Sequence, residues 1–427
     1  MIRIGWLAIL ACLCIRPAGA ALKAAVVKVD ITPERPEWLL GYGARQSNGT
    51  HDPIFHRVLL LDDGKTQFAW ASSDLCLFSP SFYDGMASTL EKRFGIKPVN
   101  FWWSVTHTHS APEVGPPGMP GIFLGDRYTH QRDETYTKMV ERKLEQAIED
   151  ARARLEPVRF GVGWGSAFAN INRRARDIEG PAFLGMNPDG PVDRRLGVLR
   201  FDRMDGSPLA LVTNYAIHGT VLGGTSLVIS GDAPGIAAAY VEEKLKTTVL
   251  FVNGAAGDIA PIYSVQPNPK AGRLTQFRVL LGDRIIETAS RAKTEDGAHV
   301  LAASAITVQV PRKNGLGWAP DLGRYTRKSA DGREMVQLPV RFLHIGADTA
   351  IWSAPLELFC QVAIGVRERS PFANTLYGGY TNGWLGYLPT EVEWGRGGYE
   401  PGVSPFTPPA EHELSSAVLQ HLETLKH

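Results

Sequence analysis

The sequence contains little cysteine for its length. Four cysteines occur in 427 residues, and two of them, Cys12 and Cys14, lie within the first twenty positions. The other two, Cys76 and Cys360, could pair only if the fold brings them close together. One pair cannot build a disulfide framework, so the class of small, disulfide-stapled secreted domains is excluded. Both residues lie in apolar runs, so we predict two buried free thiols.

The sequence also lacks an excess of charge of either sign. It has 45 Lys and Arg residues against 44 Asp and Glu residues. This balance gives no electrostatic reason to expect a nucleic acid as partner. No stretch beyond the N-terminus reaches the roughly 18 uninterrupted apolar residues of a membrane-spanning helix, so we predict a soluble mature chain. We find no internal repeat and no low-complexity linker, which favours one large domain.

The first twenty residues have the pattern of a secretory signal peptide. They combine, in order, the basic Arg3, an apolar segment over residues 4–15, and the small residues Ala18, Gly19 and Ala20. This predicts a signal peptide over residues 1–20 and a mature domain over residues 21–427, in a secreted or periplasmic protein. The alternatives are an uncleaved N-terminal anchor and a lipid attached at Cys12.

Strand and helix patterns alternate along the mature chain, and several strands are spaced as hairpins. We therefore predict an α/β fold with mixed β-sheets and flanking helices, in a single large catalytic domain. Strands are predicted over 23–31, 58–61, 68–71, 99–105, 158–162, 198–201, 209–216, 249–252, 300–310, 340–345 and 350–352. Helices are predicted over 79–94, 133–155, 236–245, 274–292, 355–368 and 411–425.

Two histidines follow the apolar, aromatic strand that is predicted over residues 99–105. They lie in Thr106–Ser110, as His107 and His109. Side chains at positions i and i+2 of a strand point to the same side, so the two imidazoles should project together. A pair of imidazoles beside a rigid Gly/Pro-rich loop suits a metal site or a proton-transfer site. The alternative is two histidines bonded to nearby backbone.

Three further polar residues lie where apolar segments end. His218 ends a predicted strand, Glu357 lies at a predicted helix start, and Tyr387 lies in the Gly-rich loop 378–388. Each has a structural alternative: a core histidine, a carboxylate favoured by the helix dipole, and a packing tyrosine. Together with His107 they have the residue types that zinc accepts. Sequence spacing alone does not show whether they converge.

Longer motifs in a fixed order indicate a family. They are Val29–Pro33, Gly41–Tyr42, Thr106–Ser110, Asn172–Arg173, Asn214–Thr220, Ser230–Asp232, Asn253–Pro261 and the loop that carries Tyr387 and Tyr399. On these motifs the chain resembles the catalytic region of the neutral/alkaline ceramidases, zinc amidases that hydrolyse the N-acyl bond of ceramide. Thr106–Ser110 and the His-Gly-Thr motif at His218 are the most specific pieces.

The resemblance implies one Zn²⁺ per chain and a set of site residues. The implied zinc ligands are His107, His218, Glu357 and Tyr387, with Tyr380 as the alternative tyrosine. The implied groups around the scissile amide are His109, Arg173 and Tyr399. Zinc lowers the pKa of bound water to about 7 and polarises a carbonyl, which suits attack on an unactivated amide. Arg173 and Tyr399 would then stabilise the oxyanion, and His109 would move the proton to the leaving amine.

Two departures from the family separate this chain from a ceramidase proper. Family members carry a serine in a Gly-Asp-x-Ser-Pro segment, where it has been assigned as a nucleophile, and this chain has Ala260 there. Alanine excludes an acyl-serine route through this position and leaves the zinc-activated water route. We also expect no immunoglobulin-like C-terminal domain. Both departures predict a short, divergent relative acting on a small-molecule lipid or other N-acyl substrate, with peripheral membrane contact as a further expectation.

Three alternatives to this function remain. The chain could be an esterase on another acyl substrate, or a degenerate, non-catalytic member that binds lipid or glycan. It could also be an unrelated barrel metallohydrolase that uses the His-x-His pair. That fold usually supplies two more strand-end histidines and an aspartate, and beyond His218 only His344 ends a convincing strand.

Overall fold

The computed structural model describes residues 21–297 and 299–427. The predicted signal peptide, with Cys12, lies outside the described residues. The described strands are β1 (Lys23–Asp30), β2 (Trp38–Leu39), β3 (Arg45–Gln46), β4 (Gly49–Thr50), β5 (Phe55–Asp62), β6 (Gln67–Ser73), β7 (Phe101–Val105), β8 (Glu156–Ser166), β9 (Asn170–Ala175), β10 (Phe183–Asn187), β11 (Arg195–Arg203), β12 (Pro208–Tyr215), β13 (Val228–Ile229), β14 (Thr248–Asn253), β15 (Ile259–Pro261), β16 (Leu301–Pro311), β17 (Thr326–Lys328), β18 (Glu334–Ile345), β19 (Thr349–Ser353), β20 (Glu357–Leu358), β21 (Asn374–Gly378) and β22 (Tyr387–Leu388).

The α-helices carry most of the longer connections between these strands. They are α1 (Pro80–Phe94), α2 (Gly118–Leu124), α3 (Glu134–Arg152), α4 (Asp232–Leu245), α5 (Arg284–Arg291), α6 (Cys360–Arg369), α7 (Glu391–Gly395), α8 (Tyr399–Val403) and α9 (Ala410–Lys426). Short 3₁₀ turns lie at Pro98–Asn100, Gly125–Arg127 and Pro320–Tyr325, and a π-helical turn lies at Arg278–Asp283. None of the described helices is both long and apolar enough to cross a membrane.

The largest sheet has eight strands in the order β14-β12-β11-β8-β1-β5-β6-β7. Its two outer pairs, β12 with β14 and β6 with β7, are parallel, and the pairs between them are antiparallel. A second sheet has the order β16-β18-β19-β21, with β17 also paired to β18, and a small sheet has the order β10-β9-β15. The predicted α/β class with mixed sheets is confirmed.

Two predicted helices, 79–94 and 133–155, begin within one residue of their predicted starts. Ser79 caps α1 by accepting a hydrogen bond from the Ser81 backbone N–H, and Asp133 caps α3 through the backbone N–H groups of Thr135 and Tyr136. Capping side chains satisfy donors that have no partner within the helix. The apolar face of α3 then packs against β1 and β5, and this layer covers one face of the large sheet.

Other boundaries differ from the sequence prediction. The helix predicted over 355–368 begins only at Cys360, because Glu357 and Leu358 form β20 and pair with Tyr387 and Leu388. Glu357 is therefore on a buried strand, and its predicted place at a helix start is wrong. The helix predicted over 274–292 is split into the π-helical turn and α5. Both cysteines of the described chain are buried and free, as predicted.

Candidate active site

The site lies where the carboxyl ends of β7, β12 and β14 come together. Asn253, the last residue of β14, connects the segments that follow β7 and β12. Its side-chain amide donates to the carbonyls of Thr106 and Ile217, at 3.3 and 2.6 Å. Its side-chain oxygen accepts from the Ile217 backbone N–H at 3.0 Å. A buried amide that satisfies three backbone groups fixes the two segments relative to each other. The histidines that follow β7 and β12 are thereby brought close together.

His107 adopts a backbone conformation that the strand pattern did not predict. β7 ends at Val105, and His107 has a φ of 61°, in the left-handed region that non-glycine residues rarely occupy. The prediction that His107 and His109 meet because they occupy positions i and i+2 of a strand is therefore wrong. The imidazoles do meet, with ring centroids 4.7 Å apart and the two Nε2 atoms 3.2 Å apart. Such backbone outliers are concentrated at functional sites.

One hydrogen bond sets the tautomer of His107. Its Nδ1 lies 3.0 Å from the backbone carbonyl oxygen of Cys76, which can only accept, so Nδ1 carries the proton. The Nε2 lone pair is then free to point into the site. A backbone carbonyl behind a histidine is the usual arrangement that orients a metal-ligating imidazole.

Three buried side chains converge at this point. Glu357 Oε2 lies 3.4 Å from His107 Nε2 and 3.1 Å from His218 Nε2. Burial and the nearby Arg173 cation lower the pKa of His218 to about 3, so this imidazole is neutral at physiological pH. Burial alone would raise the pKa of Glu357, but its contacts with the two histidines outweigh burial and hold the pKa well below its usual value.

These three side chains have the composition of a metal site. His107 Nε2, His218 Nε2 and Glu357 Oε2 lie within a few ångström of one another, and imidazole and carboxylate are ligands that zinc accepts. Among the described residues, His107, His218 and Glu357 form one group that could hold a metal ion. The same criteria join Cys76, His107 and His109 in a second group. The donor set therefore fits a metal.

His109 is held beside this group by its backbone and by close packing. Arg45 donates to the His109 carbonyl oxygen at 2.6 Å, and Tyr42 packs edge-on against the imidazole, with ring centroids 4.9 Å apart. Gly41 allows the close approach: it has a φ of 110°, and a Cβ there would lie 2.4 Å from His109 Cγ. Burial, with the neighbouring histidines, lowers the pKa of His109 well below its usual value. The imidazole is therefore neutral and able to accept a proton.

Arg173 contacts two of the candidate metal ligands and one further carboxylate. Its guanidinium bonds to His218 Nε2 at 2.9 Å, to the Tyr387 hydroxyl at 3.2 Å and to Glu400 Oε1 at 2.9 Å. Burial disfavours its charge, but Tyr387 and Glu400 outweigh burial and raise its pKa well above the usual value. A permanent cation therefore lies next to the metal-binding group.

Both candidate tyrosines are close to Glu357. The Tyr380 hydroxyl lies 3.4 Å from Glu357 Oε2, and its ring stacks on His107 with centroids 4.1 Å apart. Tyr387 pairs with Glu357 across the β20–β22 ladder, and its hydroxyl bonds to Arg173. Tyr399 lies beyond Tyr387, with ring centroids 5.8 Å apart. The seven residues predicted for the site are thus brought together, together with the alternative Tyr380.

Asp232 does not hydrogen-bond to a histidine. Its carboxylate accepts backbone N–H groups from Val221, Leu222 and Ala233, at 2.7 to 3.0 Å. It shapes the loop that follows His218, and burial raises its pKa to about 6.

A cleft of two parts leads to the site. The outer cleft, of about 530 Å³, is lined by residues that include Tyr42, His109, Arg127, Arg173, Ala260 and Tyr399. A smaller inner branch, of about 50 Å³, reaches His107 and Glu357 between the apolar side chains of Leu40, Leu77, Phe123, Leu124 and Trp384. His109, Tyr387 and Tyr399 line both parts. Of the candidate metal ligands, His107, Glu357 and Tyr387 thus line the cleft, and His218 is fully buried.

Sequence reasoning missed several residues that build the site. Arg45 and Glu400 hold His109 and Arg173, and Arg174 joins Glu400 to Glu393 at 2.6 and 2.5 Å. Arg127 lies at the rim of the outer cleft. These residues lie on short elements, and their partners are far along the chain, so no local signal identified them.

The family model of the neutral/alkaline non-lysosomal ceramidases, N-terminal region, matches residues 23–265, more than half of the chain. The chain belongs to this family. Neutral ceramidase B and neutral ceramidase A of Dictyostelium discoideum are each 28% identical to it, over 44% and 50% of this chain and 26% and 31% of their own lengths. Neutral ceramidase of Mycobacterium tuberculosis is 28% identical over 50% of this chain and 34% of its own length. The matched segments thus span between a quarter and about a third of these curated relatives.

The fold is also that of a solved ceramidase. The crystal structure of neutral ceramidase from Pseudomonas aeruginosa matches with a TM-score of 0.76 at 18% sequence identity, covering 95% of this chain and 75% of that one. A structure described as ceramidase complexed with C2 matches with a TM-score of 0.77 and the same identity and coverage. This ceramidase-family chain therefore shares the fold through nearly all of its described length.

Proposed function

We propose that this chain is a secreted, zinc-dependent hydrolase that cleaves an N-acyl bond of the kind found in ceramide. The observation that carries the proposal is the convergence of His107, His218 and Glu357 at the inner end of a cleft that also presents Arg173 and His109. Membership of the ceramidase family supports the same reaction class. The pattern of residues 1–20 supports export to a secreted or periplasmic location.

One zinc ion per chain would be held by His107, His218, Glu357 and Tyr387. When bound, zinc supplies Lewis acidity, which polarises an amide carbonyl and makes water nucleophilic at neutral pH. The Nε2 atoms of the two histidines already face this point, and Glu357 supplies the negative charge. Each ligand side chain is buried, so a bound cation would interact with them in a region from which water is largely excluded.

The remaining polar residues of the cleft have distinct roles around the scissile amide. Arg173, fixed by Glu400, presents a permanent positive charge that stabilises the developing oxyanion. Tyr399 lies at the junction of the two parts of the cleft, where its hydroxyl donates to the same oxygen. His109 is neutral and buried, so it can accept a proton from the attacking water and deliver it to the leaving amine.

Ala260 limits the mechanism to direct attack by water. It lies on β15 and lines the outer cleft, where it offers no nucleophilic atom. The neutral ceramidase name of the relatives points to ceramide as the substrate class. The alternative of an esterase keeps the same residues in the same roles, because an ester carbonyl needs the same activation.

The proposal is tested by metal analysis and hydrolysis assays on the purified protein. We expect about one zinc per chain by elemental analysis, and release of fatty acid from N-dodecanoyl sphingosine that stops on chelation and returns with zinc. The His218→Ala variant should lose both zinc and activity. His412→Ala is the matched control, because this histidine is exposed on α9.

Three results would separate the alternatives. A metal-free wild-type protein that is folded and inactive would overturn the proposal in favour of a non-catalytic binder. Hydrolysis of dodecanoyl esters but not of the matching amides would make the chain an esterase. Activity retained in a zinc-free His218→Ala variant would exclude this metal site as the centre of catalysis.

A further inference from the structure

The outer cleft has an unbalanced charge on its wall. Its lining residues include two arginines, Arg127 and Arg173, and no aspartate or glutamate. Arg173 pairs with Glu400 at 2.9 Å and also bonds to His218 and Tyr387. Its charge therefore lies beside the candidate metal ligands, which is the position of its proposed oxyanion role. The charge that remains available to a ligand at the rim is that of Arg127.

Arg127 has no competing partner. Within residues 21–297 and 299–427, its guanidinium makes no hydrogen bond and no ion pair with another side chain, and the residue is exposed. Asp126, which precedes it in the chain, is not part of the cleft wall.

The backbone around Arg127 is fixed, although its side chain is free. The residue ends the 3₁₀ turn Gly125–Arg127, and its carbonyl accepts from the Ala44 N–H at 3.3 Å. The next residue, Tyr128, donates its hydroxyl to Glu113. His130 bonds to the same carboxylate at 2.8 Å. A solvent-facing cation on an anchored segment is arranged to bind an anion at low cost in ordering the chain.

From this arrangement we infer that the cleft prefers N-acyl compounds whose amine portion carries an anionic group over ceramide itself, whose amine portion is uncharged, with Arg127 as the residue that binds the anionic group. The inference rests on the proposed function for the reaction, and it adds the class of substrate. The anionic portion would lie in the outer cleft, whose lining includes Arg127. A carboxylate or a phosphate suits the planar fork of an arginine, which can donate two hydrogen bonds at once.

Binding is tested first, with ligands that are not hydrolysed. Dodecylsulfonyl-glycine and dodecylsulfonyl-ethanolamine have the same chain and differ in the charge of the end group, and their sulfonamide bond replaces the scissile amide. By calorimetry we expect the carboxylate ligand to bind roughly 10- to 100-fold more tightly, as for one charge-assisted hydrogen bond. The preference should shrink in high salt, because the group is exposed.

Substitutions at the rim identify the residue that is responsible. Arg127→Gln should remove the preference, and Arg127→Lys should keep part of it. Arg333→Gln, which changes an exposed arginine that pairs with Asp331 outside the cleft, should bind both ligands as the wild type does. Equal binding of the two ligands by the wild type, no binding of either, or a preference that survives in Arg127→Gln would each overturn the inference.

Turnover is tested separately, so that the two proposals can fail independently. N-dodecanoyl-glycine, N-dodecanoyl-phosphoethanolamine and the neutral N-dodecanoyl-ethanolamine are compared by kcat/KM. A charge preference in binding without hydrolysis of any of them would overturn the proposed function and leave this inference standing. Hydrolysis of the neutral amide as fast as that of the two acids would overturn this inference and leave the proposed function standing. The ratio between the two acidic substrates distinguishes a carboxylate from a phosphate.

Discussion

His107 donates its Nδ1–H to the backbone carbonyl of Cys76, 3.0 Å away, while the Cys76 sulfur lies 3.9 Å from the same nitrogen. The imidazole is therefore oriented by the main chain and not by the thiol. This matters because Cys76, His107 and His109 also form a group that could hold a metal. The tautomer set by the carbonyl directs the His107 lone pair towards Glu357, away from the sulfur.

We predict that Cys76→Ala keeps about one zinc per chain. The substitution removes the sulfur and leaves the carbonyl that orients His107 in place. The cost should be confined to stability, about 1 to 2 kcal/mol for the loss of a small buried side chain. Elemental analysis and urea unfolding measure the two quantities. A loss of zinc from a folded Cys76→Ala protein would instead identify the thiol as a ligand.

A pair of tyrosine variants tests which hydroxyl completes the proposed zinc site. We predict that Tyr387→Phe weakens zinc binding by more than about tenfold, because an anionic oxygen ligand is lost. Tyr380→Phe should change it by less than about threefold, since this ring would still stack on His107. Competition with a chromogenic chelator measures both affinities. The opposite order would make Tyr380 the ligand, as the 3.4 Å contact of its hydroxyl with Glu357 would allow.

Gly41 is predicted to be required for the placement of His109. A Cβ at this position would lie 2.4 Å from His109 Cγ, and the φ of 110° disfavours any side chain. Gly41→Ala should therefore lower kcat by about 100-fold, the scale of a misplaced catalytic group, with zinc content unchanged. Gly49→Ala is the matched control, since a Cβ there meets no atom within 4 Å. Full activity in Gly41→Ala would show that His109 has no role in proton transfer.

The sequence predicted the elements with strong local signals. The hairpin of β5 and β6 and the helices α1 and α3 follow from strand alternation with a polar turn and from apolar residues at helical spacing, signals that act within a few residues. The strand that carries Arg173 was not predicted, because β9 holds charged residues whose burial depends on partners far along the chain. Local pattern contains no information on such partners.

The candidate site was predicted as a set of residues and not as a geometry. Polar residues at the ends of apolar segments supplied His107, His218 and Glu357, and the family resemblance assigned them to zinc. The positive φ of His107 and the strand at Glu357 depend on long-range contacts. The apolar signal around residue 357 favoured a helix, and pairing with Tyr387 overrode it. The role of Arg127 could not be predicted from sequence, because it depends on two features of the fold. The residue lines the outer cleft, and its side chain has no acidic partner among the described residues.

The pH dependence of stability should contain a contribution from His56. This histidine is fully buried, with Nδ1 2.6 Å from the Ser73 hydroxyl and Nε2 3.1 Å from the Val140 carbonyl, and burial lowers its pKa to about 4. The unfolded chain takes up the proton near pH 6.5 and the folded chain only near pH 4. Stability is therefore lost as the pH falls through this window, by up to about 3 kcal/mol.

The measurement is urea unfolding at a series of pH values for the wild type and His56→Gln. Glutamine keeps an N–H donor for the Val140 carbonyl and does not titrate. We expect the free energy of unfolding of the wild type to fall more than that of the variant between pH 6.5 and 4. Above pH 7 the two free energies should change with pH in parallel. Parallel curves over the whole range would show that the buried imidazole is not protonated on unfolding.

Restoring a serine at position 260 tests whether the reaction needs a protein nucleophile. Ala260 lies on β15, opposite Ile171 on β9, and its side chain lines the outer cleft. If water attacks directly, Ala260→Ser should keep kcat within about threefold of the wild type, because neither the proposed metal ligands nor Arg173 is changed. Rapid mixing should show no burst of released amine for either protein, since a burst is the kinetic sign of an accumulating acyl-enzyme. A large gain in kcat with a burst in Ala260→Ser alone would mean that the site is built for a serine that this chain has lost, and that the wild-type chain serves as a binder.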